Sequence, residues 1–300
     1  MPRTADRRWV VPERGNRFAM QVALLLASKV GRRRLEWLLG PITLYFFLHN
    51  GAARRASRAY LRRALPVRPT ITTIMRHMRC FAQVVLDRIF FLQNTTDMPH
   101  VRVTGRECFL QALAGGRGCL LLGAHIGSFE ALRALGREHG ITLRMLMYRS
   151  NLGGATDVLE TLDPTYAQTI IAIGQVDTML RVAESLGRGE VVGILGDRTP
   201  DTDRCIRTKM LGGDVLLPEG PFRLGMATSA PMVLVSAIRA ADGVYDVNFV
   251  PFGVAYPTSR QGRSAFVQQA AERYAGWMEA LCRRHPFSWF NFYDYWKDLP

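Results

Sequence analysis

The chain has 300 residues, 48% hydrophobic and 21% charged, which allows a large core and excludes both a disordered tail and a polytopic membrane protein. Its net charge of +14 is uneven: positions 1–100 hold 18 basic and 5 acidic residues, positions 101–300 hold 21 and 20. Five cysteines (Cys80, Cys108, Cys119, Cys205, Cys282) with no C-x-x-C pair argue against a disulfide framework or a zinc site and for a reducing compartment.

Two apolar runs come first, Phe18 to Ser28 and Leu38 to Leu48, each shorter than the roughly 20 residues of a spanning helix. Arg32, Arg33, Arg34 and Glu36 interrupt the early apolar stretch, so a secretory signal peptide fits poorly. Gly40 and Pro41 are expected to break the second run, and interfacial amphipathic helices describe the region better. Residues 52–65 carry Arg54, Arg55, Arg58, Arg62 and Arg63 at spacings that gather them on one helical face, ended by Pro66 and Pro69. Thr70 to Leu92 resumes a helical period with Met75, Met78, Val85, Leu86 and Ile89 on one side. Apolar runs flanked by arginine suit an anionic membrane surface. The alternative is that these helices pack on the later domain and leave their arginines solvated.

From about residue 101 short apolar runs alternate with helical segments. Strands are expected at Cys119–Gly123, Leu143–Met147, Thr169–Ile173, Val191–Leu195, Met232–Ile238 and Val244–Val250, and helices at Phe129–His139, Thr178–Leu186, Pro221–Thr228 and Gly262–Arg284. The fold class is therefore α/β, a central mostly parallel or mixed sheet with covering helices, preceded by N-terminal amphipathic helices. Two regions follow, a basic helical membrane-associating region (1–100) and an α/β domain (101–300), expected to form one integrated unit. No internal repeat is visible.

The segment LLLGAHIGSFEALRAL (Leu120 to Leu135) carries the most chemistry. A buried strand ends at Gly123, His125 sits in the turn, and Gly127 and Ser128 precede a helix that begins with Glu130 close behind. This sets an imidazole at the carboxyl edge of a sheet, where α/β proteins place ligands. A nearby carboxylate can orient it, leaving the other ring nitrogen to take a proton from a hydroxyl or amine. Backbone N–H groups at the helix start can face a developing oxyanion. Equally, spacing alone permits a turn histidine beside a helix-start acid.

The H-x4-E pattern after a hydrophobic strand resembles the H-x4-D/E motif of the lysophospholipid acyltransferase superfamily, specifically its bacterial lipid A late-acyltransferase branch. The resemblance continues in chain order through Met147-Tyr148-Arg149-Ser150-Asn151, GEVVGILGD (Gly189 to Asp197) and LLPEGPFRLGMATSAPMVLV around Phe222. The arginine-rich N-terminal region is similar to that family's membrane-anchoring helices, so the likeness covers residues 17 to about 250. It implies a glycerolipid acyltransferase-like fold and direct acyl transfer from a thioester of acyl carrier protein or coenzyme A, without an acyl-enzyme, to a hydroxyl or amine of a membrane lipid or lipid-linked acceptor. It further implies His125 as general base, Glu130 as its orienting carboxylate, Arg149, Asn151, Asp197 and Arg198 as substrate-binding residues, no cofactor and no metal. The implied location is the cytoplasmic face of a bacterial inner membrane, peripheral or N-terminally anchored.

This sequence departs from the family in three places. Asp-Gln is replaced by Asp197-Arg198, and Asp197 is read either as a site carboxylate or as a strand-end acid paired with Arg198. Pro218-Glu219-Gly220-Pro221 is only superficially similar to the P-E-G-T-R motif, and Glu219 is read as a helix-start acid. The ending PFSWFNFYDYW resembles a less characterised subset of predicted acyltransferases. Its aromatics suit a membrane interface or acyl groove, but packing is preferred because Asn291 and Asp294 want hydrogen-bond partners.

Other candidates are weaker. Cys119 precedes His125 by six residues but lies in an apolar strand, Ser128 lacks the G-x-S-x-G elbow, and His49, His77, His100, His139 and His285 show no ligand spacing. Competing functions are a thioesterase or hydrolase using the same base, a catalytically silent partner protein, and a nucleic-acid-binding protein suggested by the basic first third, for which no recognition motif is present.

Overall fold

A computed structural model describes residues 31–148, 162–199 and 204–296. Among the described residues three helices come first: α1 (Arg32–His49), α2 (Gly51–Ala64) and α3 (Ile71–Gln93). The α/β region then runs β1 (Val101–Thr104), α4 (Arg106–Leu113), β2 (Leu120–Gly123), α5 (Phe129–Glu138), β3 (Leu143–Tyr148), β4 (Ile170–Ile173), α6 (Thr178–Gly187) and β5 (Val191–Leu195). It continues with β6 (Cys205–Met210), β7 (Gly213–Pro218), α7 (Gly220–Thr228), β8 (Met232–Arg239), β9 (Tyr245–Pro251) and α8 (Gly262–Arg284).

Seven strands form one sheet in the order β1-β9-β8-β2-β5-β3-β4. Among the described residues every pairing in this sheet is parallel except β8 with β9. Parallel strands need both faces covered, and the alternation along each strand shows how. Leu120, Leu122, Val192, Ile194 and Leu234 pack with α2, α6, α7 and α8. Cys119, Leu121, Val191, Val233 and Val235 pack with α3, α4 and α5. The β6–β7 hairpin stands apart and was not expected, because Arg207 and Lys209 on one face of β6 hide its alternation.

The N-terminal helices correct one expectation. Gly40 and Pro41 do not break the second apolar run, because α1 passes through Pro41 without interruption. Proline removes one N–H bond there, and its ring lies on the exposed side. Leu35 and Leu39 pack on Leu86, Ile89 and Phe90 of α3. A buried carboxylate ties these helices to the sheet: Asp87 accepts from Arg32 (3.2 Å), Arg239 (2.7 Å) and Tyr245 (3.0 Å). Helix α3 starts at a Thr70–Thr73 capping box and turns Ile74, His77 and Met78 inward, whereas Val85, expected to face in, is exposed. The run Phe18 to Ser28 lies outside the described residues. Among the described residues, no helix is long and apolar enough to cross a membrane.

Candidate active site

Register assembles the site. Gly123 of β2 pairs with Leu195 of the adjacent parallel strand β5, so two residues further on His125 stands beside Asp197, at the carboxyl edge of both strands. The His125 ring Nδ1 lies 2.7 Å from Asp197 Oδ1, and the His125 backbone N–H donates to the same carboxylate at 3.1 Å. An ionised carboxylate only accepts, so Nδ1 carries the proton and neutral His125 presents Nε2 as a base. The Asp197 side chain is fully buried while that of His125 is 26% exposed. The pair is thus dry on the carboxylate side and open on the imidazole side.

Two further donors meet Asp197 Oδ2: Trp289 Nε1–H at 3.0 Å and Asn291 Nδ2–H at 2.8 Å. Burial pushes the Asp197 carboxyl up, but His125, its hydrogen bond, Arg198 and Trp289 outweigh it and hold the acid well below the usual carboxylate range. For His125, burial and then the Arg198 cation outweigh the pull of Asp197 and lower its pKa from the ordinary value, so the ring is neutral near pH 7.

The turn from β2 to α5 is clamped on both sides. Gly127 N–H donates to Ser288 O (2.9 Å), Ser128 N–H to Ala237 O (2.8 Å) and Phe290 N–H to His125 O (2.8 Å). Gly127 has φ +80°, and a Cβ there would lie 1.9 Å from the Ala237 carbonyl oxygen, so only glycine fits. These bonds occupy the Gly127 and Ser128 N–H groups, so any oxyanion donors at this helix start must come from further along α5. Tyr274 O–H donates to Gly123 O (2.6 Å) and Tyr295 O–H to Asp197 O (2.8 Å), fixing the two strand ends.

The orienting pair read from the sequence is corrected here. Glu130 lies in the first turn of α5, where its carboxylate meets Arg88 of α3 at 2.6 Å and, at 3.5 Å, the Ser128 hydroxyl. Arg88 reaches on to Tyr166 (3.1 Å). The side chain five residues from His125 is directed to α3, while the one 72 residues away meets the ring. Arg198 is half-buried beside the pair and donates to Asn291 Oδ1 (2.8 Å) and Phe290 O (3.4 Å). Arg149 and Asn151 lie outside the described residues. Among the described residues no cluster of three metal-ligating side chains occurs.

Sequence reasoning missed the tail as a source of donors. Trp289 and Asn291 are buried and end on the site carboxylate, in line with the preference for packing over a membrane role. The polar residue inside the aromatic run was the available signal. His77, dismissed for want of ligand spacing, is buried behind Trp289, with its Nε2 2.8 Å from Trp289 O and Nδ1 2.8 Å from the Ser57 hydroxyl. Since a carbonyl only accepts, His77 is the neutral Nε2–H tautomer, and burial lowers its pKa to about 4.

A model of the family described as bacterial lipid A biosynthesis acyltransferase matches residues 4–298, while no curated protein matches at a significant level. That match spans nearly the whole chain, including both strand ends and the tail, and implies in general terms a lipid acceptor and an acyl thioester donor. The chain therefore belongs to the bacterial lipid A biosynthesis acyltransferase family and is an acyltransferase of lipid biosynthesis.

Proposed function

We propose that the protein moves a fatty acyl group from an acyl carrier protein or coenzyme A thioester to a hydroxyl or amine of a membrane lipid or lipid-linked acceptor, with His125 as general base and Asp197, in place of Glu130, as its orienting carboxylate. The observation that carries this reading is the 2.7 Å contact between His125 Nδ1 and a fully buried Asp197, made by a ring that is still 26% exposed. His125 Nε2 takes the acceptor proton as the acceptor oxygen or nitrogen bonds to the thioester carbonyl carbon. Asp197 stabilises the imidazolium that forms. As the tetrahedral intermediate collapses, the C–S bond breaks and the imidazolium returns the proton to the departing thiolate. No bond to the protein forms. Arg198, Arg149 and Asn151 are assigned to substrate binding, and Glu130 holds Arg88.

The same reading assigns the protein to a membrane surface through α1. Trp37 is 85% exposed, and Ile42, Tyr45, Phe46 and Leu48 are exposed on the same helix. Arg33 and Arg34 are exposed at its start, and Arg55, Arg58 and Arg62 on α2. Apolar side chains bordered by arginine match the interior and headgroups of an anionic leaflet, here the cytoplasmic leaflet of the bacterial inner membrane.

The test supplies radiolabelled acyl carrier protein, and separately acyl-coenzyme A, together with a bacterial membrane extract. Label moves into lipid with the wild type and not with His125→Ala. Full activity in His125→Ala sinks the assignment, and release of free fatty acid without labelled lipid identifies a thioesterase instead.

A further inference from the structure

The tail that follows α8 does more than fill space. Its residues 288–290 pair with the turn carrying His125, through an antiparallel bridge between Trp289 and Ile126. From that position two side chains of unlike chemistry, an indole and an amide, direct their N–H groups to the same oxygen, Asp197 Oδ2, leaving Oδ1 to the His125 ring. Both donors are held in turn. The Trp289 carbonyl accepts from His77, which accepts from Ser57, and the Asn291 carbonyl oxygen accepts from Arg198. A tail present only as hydrophobic filling needs none of this convergence.

We propose that Trp289 and Asn291 are positioning residues for the catalytic base: their N–H groups fix the Asp197 carboxylate and withdraw part of its negative charge, which sets the tautomer and basicity of His125. This deepens the acyltransferase mechanism above and rests on His125 being its base. The sign follows from charge. A donor on Oδ2 competes with the imidazolium for the carboxylate, so each such donor keeps His125 easier to deprotonate. Removing one raises the His125 pKa. The other charged or titratable groups facing the pair are Arg198 beside it, Tyr274 and Cys282 of α8, and Tyr293 and Tyr295 of the tail; His77 of α3 lies behind Trp289. Tyr274 and Tyr295 hydroxyls donate to backbone carbonyls, and none of these groups occupies Oδ2.

The experiment is an imidazole NMR titration of full-length wild type and Trp289→Phe, which keeps a ring and deletes the donor, paired with the pH profile of acyl transfer. The His125 midpoint should rise by about half a unit to one unit. The acid limb of the rate profile should move with it, and kcat should fall with KM unchanged. In the wild type the Trp289 indole N–H resonance should titrate at the His125 midpoint, a readout that survives if the variant fails to fold. A folded Trp289→Phe with an unmoved or lowered His125 midpoint overturns the proposal, as does a Trp289 indole resonance that stays flat across the His125 titration. Failure of the underlying reading looks different: His125→Ala retains acyl transfer although the indole still follows the His125 titration, which makes the tail a partner of a non-catalytic ion pair.

Discussion

Two aromatic-rich segments, residues 37–48 of α1 and residues 287–296 of the tail, read alike as composition and end up in opposite environments. Trp37 is 85% exposed and Trp289 is fully buried. The difference lies in the polar groups between the aromatics and in the backbone that carries them. A helix satisfies its own N–H and C=O groups, so α1 needs one face against α3 and leaves the other free. The tail is largely irregular, so its backbone needs partners and finds them at the His125 turn and at His77, while the buried Asn291 finds Asp197 and Asp294 stays exposed. Aromatic content therefore separates neither role. The demand for hydrogen bonds does.

That contrast is sharpest in the paired substitutions Trp289→Ala and Trp37→Ala. Trp289→Ala should cost about 3–5 kcal/mol by chemical denaturation, through the cavity and the lost donor. A destabilisation below 1 kcal/mol on this scale would contradict tight packing of the tail.

A pH titration of stability probes the same region through His77. Its folded pKa is about 4 against an ordinary 6.5, so below 6.5 the unfolded chain binds the proton first. Stability should be full above pH 6.5 and decline as pH falls toward 4, by roughly 3 kcal/mol at most. His77→Gln should flatten the slope in that window, and an unchanged slope would break the assignment.

Gly127→Ala places a Cβ against the Ala237 carbonyl at a positive φ, so a loss of at least about 2 kcal/mol is expected, read as a lower unfolding midpoint. At the small end, Trp37→Ala should change stability by no more than about 0.5 kcal/mol while weakening flotation with anionic vesicles roughly tenfold through lost apolar contact. Equal binding by the variant would remove α1 from the membrane surface.

Much of the sheet was legible because β2, β5 and β8 are short uniform apolar runs separated by helical periods. The weaker strands were not: β1 is four residues with Arg102 exposed, and β6 carries charge on its outward face. The place of His125 at the end of a buried strand was legible from the strand-turn-helix pattern around it. Its partner was not, because sequence proximity favours Glu130, whereas sheet order brings the end of β5 beside the end of β2. Asp197 was noticed only as an acidic position with two readings. Asn291 inside the aromatic run signals a buried hydrogen bond, but not that Trp289 and Asn291 find their common acceptor in Asp197 across the fold. The N-terminal arginines suit either a membrane-docking face or a solvated one by sequence, yet several do neither: Arg32 belongs to the buried Asp87 cluster, Arg88 holds Glu130, and Arg63 and Arg76 lie over the rings of Trp296 and Phe287.

Which carboxylate serves His125 is measured most directly by the acyl-transfer rate of Asp197→Asn beside that of Glu130→Gln, each checked for folding. Asp197→Asn should fall by on the order of a thousandfold or more, since the tautomer and the imidazolium lose their support. Glu130→Gln, which loosens a partly exposed contact with Arg88, should fall by about tenfold or less. The reverse order, with Glu130→Gln inactive and Asp197→Asn near wild type, would contradict the Asp197–His125 pair as the catalytic unit.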